Sequence, residues 1–249
     1  MCTTCLTIEK VIQRALALQL VIDRGWSEYN ISNHVDEENT KDFIEFASSW
    51  SGKNGISEWL TEREKRLWDK QAGDLNIKEA AYCTWQTEAL VPLLWALGLK
   101  ETMPDYAEHA EEDHHKLLHF GQDYPLKKIL EDIDAAEDAC LQKMTAEIKT
   151  QAELYKLVCW RCAEYLYNNR KINMNVEPMG VFGENIHKAV ALLPLDAEGE
   201  LLVRHASLAF DQMNENDVQK INLLAQNRLH ALNWLIGQDE NWDAYAMGE

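Results

Sequence analysis

NIKEAAYCTWQTEALVPLLWALGLK, residues 76–100, is the stretch whose reading decides the fold class. Asn76 stands where a helix N-cap accepts backbone hydrogens, and Glu79, three residues on, completes a capping box. The apolar run that follows is too long for a strand and stops at Gly98, a residue suited to closing a helix. Pro92 removes a backbone donor and crowds the preceding turn, which predicts a kink. A helix of this kind, hydrophobic on several faces, has to be surrounded by other helices.

Working outward, the same period recurs along most of the chain. Ile8, Val11, Ile12, Ala15, Leu18 and Ile22 fall at helical spacing, with Thr7 as N-cap and Gly25 just past the expected end. Leu16, Leu20 and Val21 add apolar residues on other faces and predict burial on most sides. Further helices are expected at about 37–50, at 61–71 with Thr61 and Glu64 as a capping box, and at 105–120 and 126–132. Another is expected over 135–170, as one helix or a broken pair, then shorter and longer ones at 185–192 and 217–236, the last closed by Gly237. NMNVEPMGVFG, residues 173–183, reads as a linker, and ELLVRHASLAF, residues 200–210, alternates weakly enough to predict one small β-hairpin. The expected architecture is mainly α: an irregular multi-helix bundle with that single hairpin. It forms one elongated domain over 1–249 or two packed helical halves, about 1–104 and 105–249.

The chain has 249 residues, 46% of them hydrophobic, with nine tryptophans, enough to build a real core. Its formal net charge is −18, from 42 acidic against 24 basic residues. A surface this negative repels phosphate backbones and anionic lipid, so neither nucleic acid nor membrane is an expected partner, whereas a basic protein is. The apolar segment 11–22 is interrupted by Gln13, Arg14 and Gln19 and reads as neither export signal nor membrane span. With six cysteines and no export signal, the expected setting is the cytoplasm with reduced thiols.

Cys159 and Cys162 form a Cys-x-x-Cys, and Cys2 and Cys5 form another, 154 residues from Cys5 to Cys159. The 159–162 pair lies inside a helical run, whereas a zinc ribbon needs each pair on a tight turn and a redox pair needs a helix N-terminus. Core filling is the simpler reading. Glu112, His115 and His119 lie one turn apart on an expected helix and form a weak candidate metal set, against the plainer reading of an acidic solvated face. No cofactor is called for, because no HExxH, GxSxG, GxxxxGK[ST] or GxGxxG is present.

Trp85, Glu88, Pro92, Trp95 and Leu99 are spaced 3, 4, 3 and 4 apart, so a carboxylate sits within an aromatic stripe. Arg228 aligns with Leu224, Leu232 and Leu235 on another apolar face. A charge so placed must be paired. One reading is a pocket with Glu88 as base and Arg228 or Arg161 as anion clamp; the other is a buried Glu–Arg pair locking the structure.

The stretches TWQTEALVPLLWALGL (84–99) followed by Met103–Pro104, the pair Trp160–Arg161, and RLHALNWLIG (228–237) followed by NWD (241–243) resemble a bacterial family of uncharacterised proteins, domain of unknown function 4272. The resemblance implies a mainly helical fold and no established activity. It places the family pattern on Trp85, Glu88, Trp95, Gly98, Pro104, Trp160, Arg161, Arg228, Asn233, Trp234, Trp242 and Asp243. Asn227 replaces the acid usual before the arginine, and AYAMGE replaces an Asp-Thr ending, so a catalytic role resting on those acids is weakened here. The expected function is a non-catalytic interaction protein, of immunity type, whose acidic surface takes a basic partner. The alternative is an enzyme or small-ligand binder with a Trp-lined cleft around Glu88 and Arg228.

Overall fold

The structure is a computed structural model that describes residues 6–110, 114–135, 141–168, 170–203, 207–238 and 241–244. The described residues form α1 (Ile8–Ser32), α2 (Glu37–Lys53), α3 (Glu62–Trp68), α4 (Ile77–Ala96), α5 (Pro125–Ala135), α6 (Leu141–Asn168), α7 (Glu177–Phe182), α8 (His187–Val190) and α9 (Glu215–Leu235). Two short strands, β1 (Leu202–Val203) and β2 (Leu208–Ala209), pair antiparallel as the expected hairpin. The fold is mainly α. No described helix is long and apolar enough to cross a membrane.

Caps stand where the sequence places them. Thr7 accepts from the Lys10 amide, and both Thr61/Glu64 and Asn76/Glu79 form reciprocal capping boxes. α4 continues through Pro92 to Ala96, and Gly98 (φ 72°) and Gly237 (φ 71°) follow helix ends in the left-handed conformation. Gly25 behaves otherwise. α1 runs straight through it for two more turns, because α4 crosses at that point and leaves no room for a side chain. A Cβ on Gly25 would lie 2.7 Å from Cys83 Cβ and 2.8 Å from the Thr84 nitrogen. The glycine marks a close helix crossing, not a terminus.

Two further expectations are corrected. Residues 105–110 and 114–120 are turns rather than helix, with His119 at φ 49° and Gly121 at φ 78°. The 173–183 stretch is no linker: Met174 is fully buried, its amide donates to the Gly199 carbonyl, and α7 occupies the second half.

The core has two large parts. α1, α2, α4 and α5 enclose one around Leu16, Leu20, Leu90, Leu93 and Ile129. α6, α8, the hairpin and α9 enclose the other around Tyr155, Val158, Cys162, Phe210 and Ile221. α9 serves both, sending Ala225 and Leu232 to the second and Ala231 and Trp234 to the first. Burial raises the Cys83 and Cys159 thiols to about 12, and Cys162 rises for the same reason, so all three act as packing groups. Cys2 and Cys5 lie outside the described residues.

Candidate functional site

Among the described residues, four buried Arg–Glu pairs organise the interior: Arg14–Glu64, Arg24–Glu28, Arg161–Glu200 and Arg228–Glu88. Each joins separate segments or fixes a loop. Arg24 also donates to the carbonyls of Lys70 (3.1 Å) and Gln71 (2.7 Å), while Glu28 accepts from the Gly73 and Leu75 amides. That clamp sets the loop from which α4 departs.

The Glu88 question resolves to Arg228. Arg228 Nε and Nη2 donate to Glu88 Oε2 at 2.9 and 2.6 Å across 140 residues of sequence. The remaining donors reach the Asp105 carbonyl (2.7 Å), the Glu108 carbonyl (2.6 Å) and the Tyr155 hydroxyl (3.1 Å). Burial works against the Arg228 charge, but Tyr155 and Glu88 outweigh it and raise its pKa. Burial likewise raises the Tyr155 phenol. Arg161 is a different matter. Its Nε and Nη2 donate to the two Glu200 oxygens at 2.8 Å each, so it belongs to the hairpin side of the core rather than to Glu88. β1 begins two residues after Glu200, whose side chain also accepts from the Ile172 and Leu201 amides.

Glu88 is only 2% exposed, yet it borders a cleft of about 620 Å3 between α1, α4, His109–Ala110 and His114–His115. Its second oxygen, Oε1, accepts from the Ala110 amide (3.0 Å) and pairs with His109 Nδ1 (3.2 Å). Arg228, by gripping the carbonyls of 105 and 108, is what positions that turn. Trp85 stacks near His109 with ring centres 5.0 Å apart. On the opposite wall Asp23 accepts from Gln19 Nε2 (2.9 Å) and pairs with His115 Nε2 (2.6 Å), and Trp26 stands 51% exposed at the edge. The cleft therefore holds two carboxylate–imidazole pairs between two indoles. The hydroxyls of Thr84 and Thr87 on its floor donate to carbonyls of their own helix.

The other candidates disperse. Trp95 packs in the core with Tyr106. Trp160 meets Phe182 edge-on at 5.9 Å, and Trp234 meets Trp242 edge-on at 5.3 Å. Asp243 accepts from the Arg63 amide (3.3 Å), beside the Arg14 guanidinium that lies 4.9 Å from the Trp242 ring. Asn233 is half-buried on α9. Of the metal set, Glu112 lies outside the described residues, and the helix that would align the two histidines is absent: His115 turns to Asp23 and His119 to Asp132. Among the described residues no group of three or more His, Cys, Asp or Glu stands in metal-holding geometry.

Asp23, Gln19 and His109 were not singled out by sequence reasoning. A signal for the first two exists: in a helix apolar on every side, polar residues at i and i+4 must face each other or a cavity.

A helical protein with paired buried ions and an open cleft bordered by two carboxylate–imidazole pairs is the class these features define. The family described as Domain of unknown function (DUF4272) matches residues 3–192, and the chain belongs to it. The match stops after α8, so α9, with Arg228, Asn233 and Trp234, and the segment carrying Trp242 and Asp243 lie beyond it. No curated protein and no solved structure matches the chain.

Proposed function

We propose that this protein is a non-catalytic binding protein of the cytoplasm, whose acidic surface engages a basic protein partner, as an immunity protein masks a toxin. The observation that carries the reading is the state of the cleft carboxylates. Glu88 has both oxygens committed, to Arg228 and to the His109–Ala110 turn, so its bonds hold chain segments together and leave no oxygen free to engage a substrate. The indoles of Trp26 and Trp85 that flank the cleft suit a cationic side chain, since an indole face attracts a cation and the net charge of −18 draws one in. Affinity purification from the source organism, at low and at raised salt, tests it. The expected result is a basic partner whose binding is lost on raising ionic strength, where the Debye length shrinks to about 3 Å near 1 M, and on Trp26→Ala. Recovery of nothing at low salt, or of a partner insensitive to both changes, refutes it.

A second reading, a small-ligand binder or enzyme, is favoured by one observation: Glu88 borders an open cleft instead of being sealed from it. A small-molecule ligand that raises the melting temperature of wild type but not of Trp85→Ala would move the assignment to this reading.

A further inference from the structure

A second depression lies on the other side of Trp85. α3, the loop after it, the first half of α4 and the middle of α9 border about 850 Å3, lined by Arg63, Arg66, Lys70, Lys78, Tyr82 and Trp85 together with polar and apolar neighbours. Its charge runs against the rest of the chain. Four lining side chains are cationic, and the one lining carboxylate, Glu79, is taken on both oxygens by Lys70 at 2.7 Å. Arg66 and Lys78, both exposed, have no carboxylate within ion-pair distance among the described residues. The Arg63 guanidinium lies 3.8 Å from the centre of the Tyr82 ring, which holds it at the groove wall.

In a chain of net charge −18, every cation has acidic neighbours to choose from, and exposed lysines and arginines ordinarily find one. Cations gathered on both walls of one groove repel each other there and contribute little to folding. A bound anion reverses that cost. Arg63 and Arg66 are three residues apart on α3, so they share a face, and Lys78 faces them from the start of α4. One guanidinium fork satisfies a carboxylate; a doubly charged phosphate monoester can use two cations and more. Tyr82 and Trp85 add aromatic surface beside those cations, against which a flat ring packs. The volume lies in the range of small-molecule sites. A nucleic-acid strand is a worse fit, because a long polyanion feels the repulsion of the whole acidic surface while a small ligand feels the local field.

We propose that this groove binds a small phosphate monoester bearing a flat ring, with Arg66 and Lys78 on the phosphate and Trp85 against the ring. The groove shares Trp85 with the acidic cleft, but its phosphate-binding cations, Arg66 and Lys78, do not line that cleft. Calorimetric titration of the full chain at low salt, with adenosine monophosphate, inorganic phosphate and adenosine as probes, tests it. Adenosine monophosphate is expected to bind most tightly, inorganic phosphate measurably but more weakly, and adenosine least. The double variant R66Q/K78Q is expected to weaken the monophosphate about 10- to 100-fold, the range of losing one charged hydrogen bond. Its melting temperature should stay within about 2 °C of wild type, since both side chains are exposed. Absence of binding by monophosphate and phosphate, a monophosphate no tighter than adenosine or than phosphate, or affinity unchanged in the double variant overturns the proposal. Preferential binding of hexaglutamate over adenosine monophosphate also overturns it, in favour of an acidic polypeptide segment.

Discussion

Arg161–Glu200 and Arg228–Glu88 are the same chemical pair in two settings. Both are buried, and both join residues distant in sequence. Glu200 is dry, its oxygens shared between one guanidinium and two backbone amides, and Arg161 leans on the Phe210 ring, 4.7 Å from its centre. Glu88 instead stands at the wall of an open cleft, and Arg228 has three neutral acceptors besides the carboxylate. The difference shows what burial asks of a charge. Where no other acceptor is near, the pair must be complete or the structure fails; where carbonyls, a phenol and a cleft stand close, the carboxylate becomes one contributor among several.

The largest effect should come from breaking the dry pair. Glu200→Ala strands Arg161 and is expected to cost about 3–5 kcal/mol, read from denaturant midpoints at constant slope. Glu88→Ala should cost less, about 1–3 kcal/mol, because Arg228 keeps its other acceptors. Equal losses at the two sites would erase the distinction. Similar in size but different in origin is a backbone effect: Gly25→Ala forces α1 and α4 apart at a 2.7 Å contact, an overpacking worth about 1–3 kcal/mol and unrelated to either pair. A separate comparison is the response to alkali. Cys83 and Cys159 ionise only near 12 in the fold but from about 9 when unfolded, so the native state retains protons that the unfolded chain loses. Stability should therefore fall as pH rises from 9 toward 12, and be unaffected by these thiols below 9. Labelling with a thiol reagent at pH 8 adds a direct comparison, with Cys83 reporting the α1–α4 crossing and Cys159 and Cys162 the sealed side.

Much of this was legible in sequence because it is local. Thr7, Thr61 and Asn76 cap their helices by bonds spanning two or three residues, and no tertiary context overrules them. The pairing of Glu88 with a buried arginine followed from apolar faces, but the choice between Arg161 and Arg228 did not. Periodicity says which face a charge occupies and nothing about which helix opposes it. Glu200 gave no signal at all, since it precedes the hairpin in a stretch without helical period. The 105–120 segment misled for a related reason. Its histidines fall at helical spacing, yet the backbone of 105–110 is fixed from outside, by Arg228 on two carbonyls and by Glu88 on the Ala110 amide.

That outside grip bears on how the molecule can be divided. A piece ending at residue 192 would keep the whole segment that the family model matches and lose α9. Glu88 would then keep only its His109 and Ala110 partners, the carbonyls of 105 and 108 would lose their anchor, and both parts of the core would lose a wall at once. α9 is thus the keystone of the matched segment in this chain: one arginine on it ties down Glu88 and the 105–108 turn together.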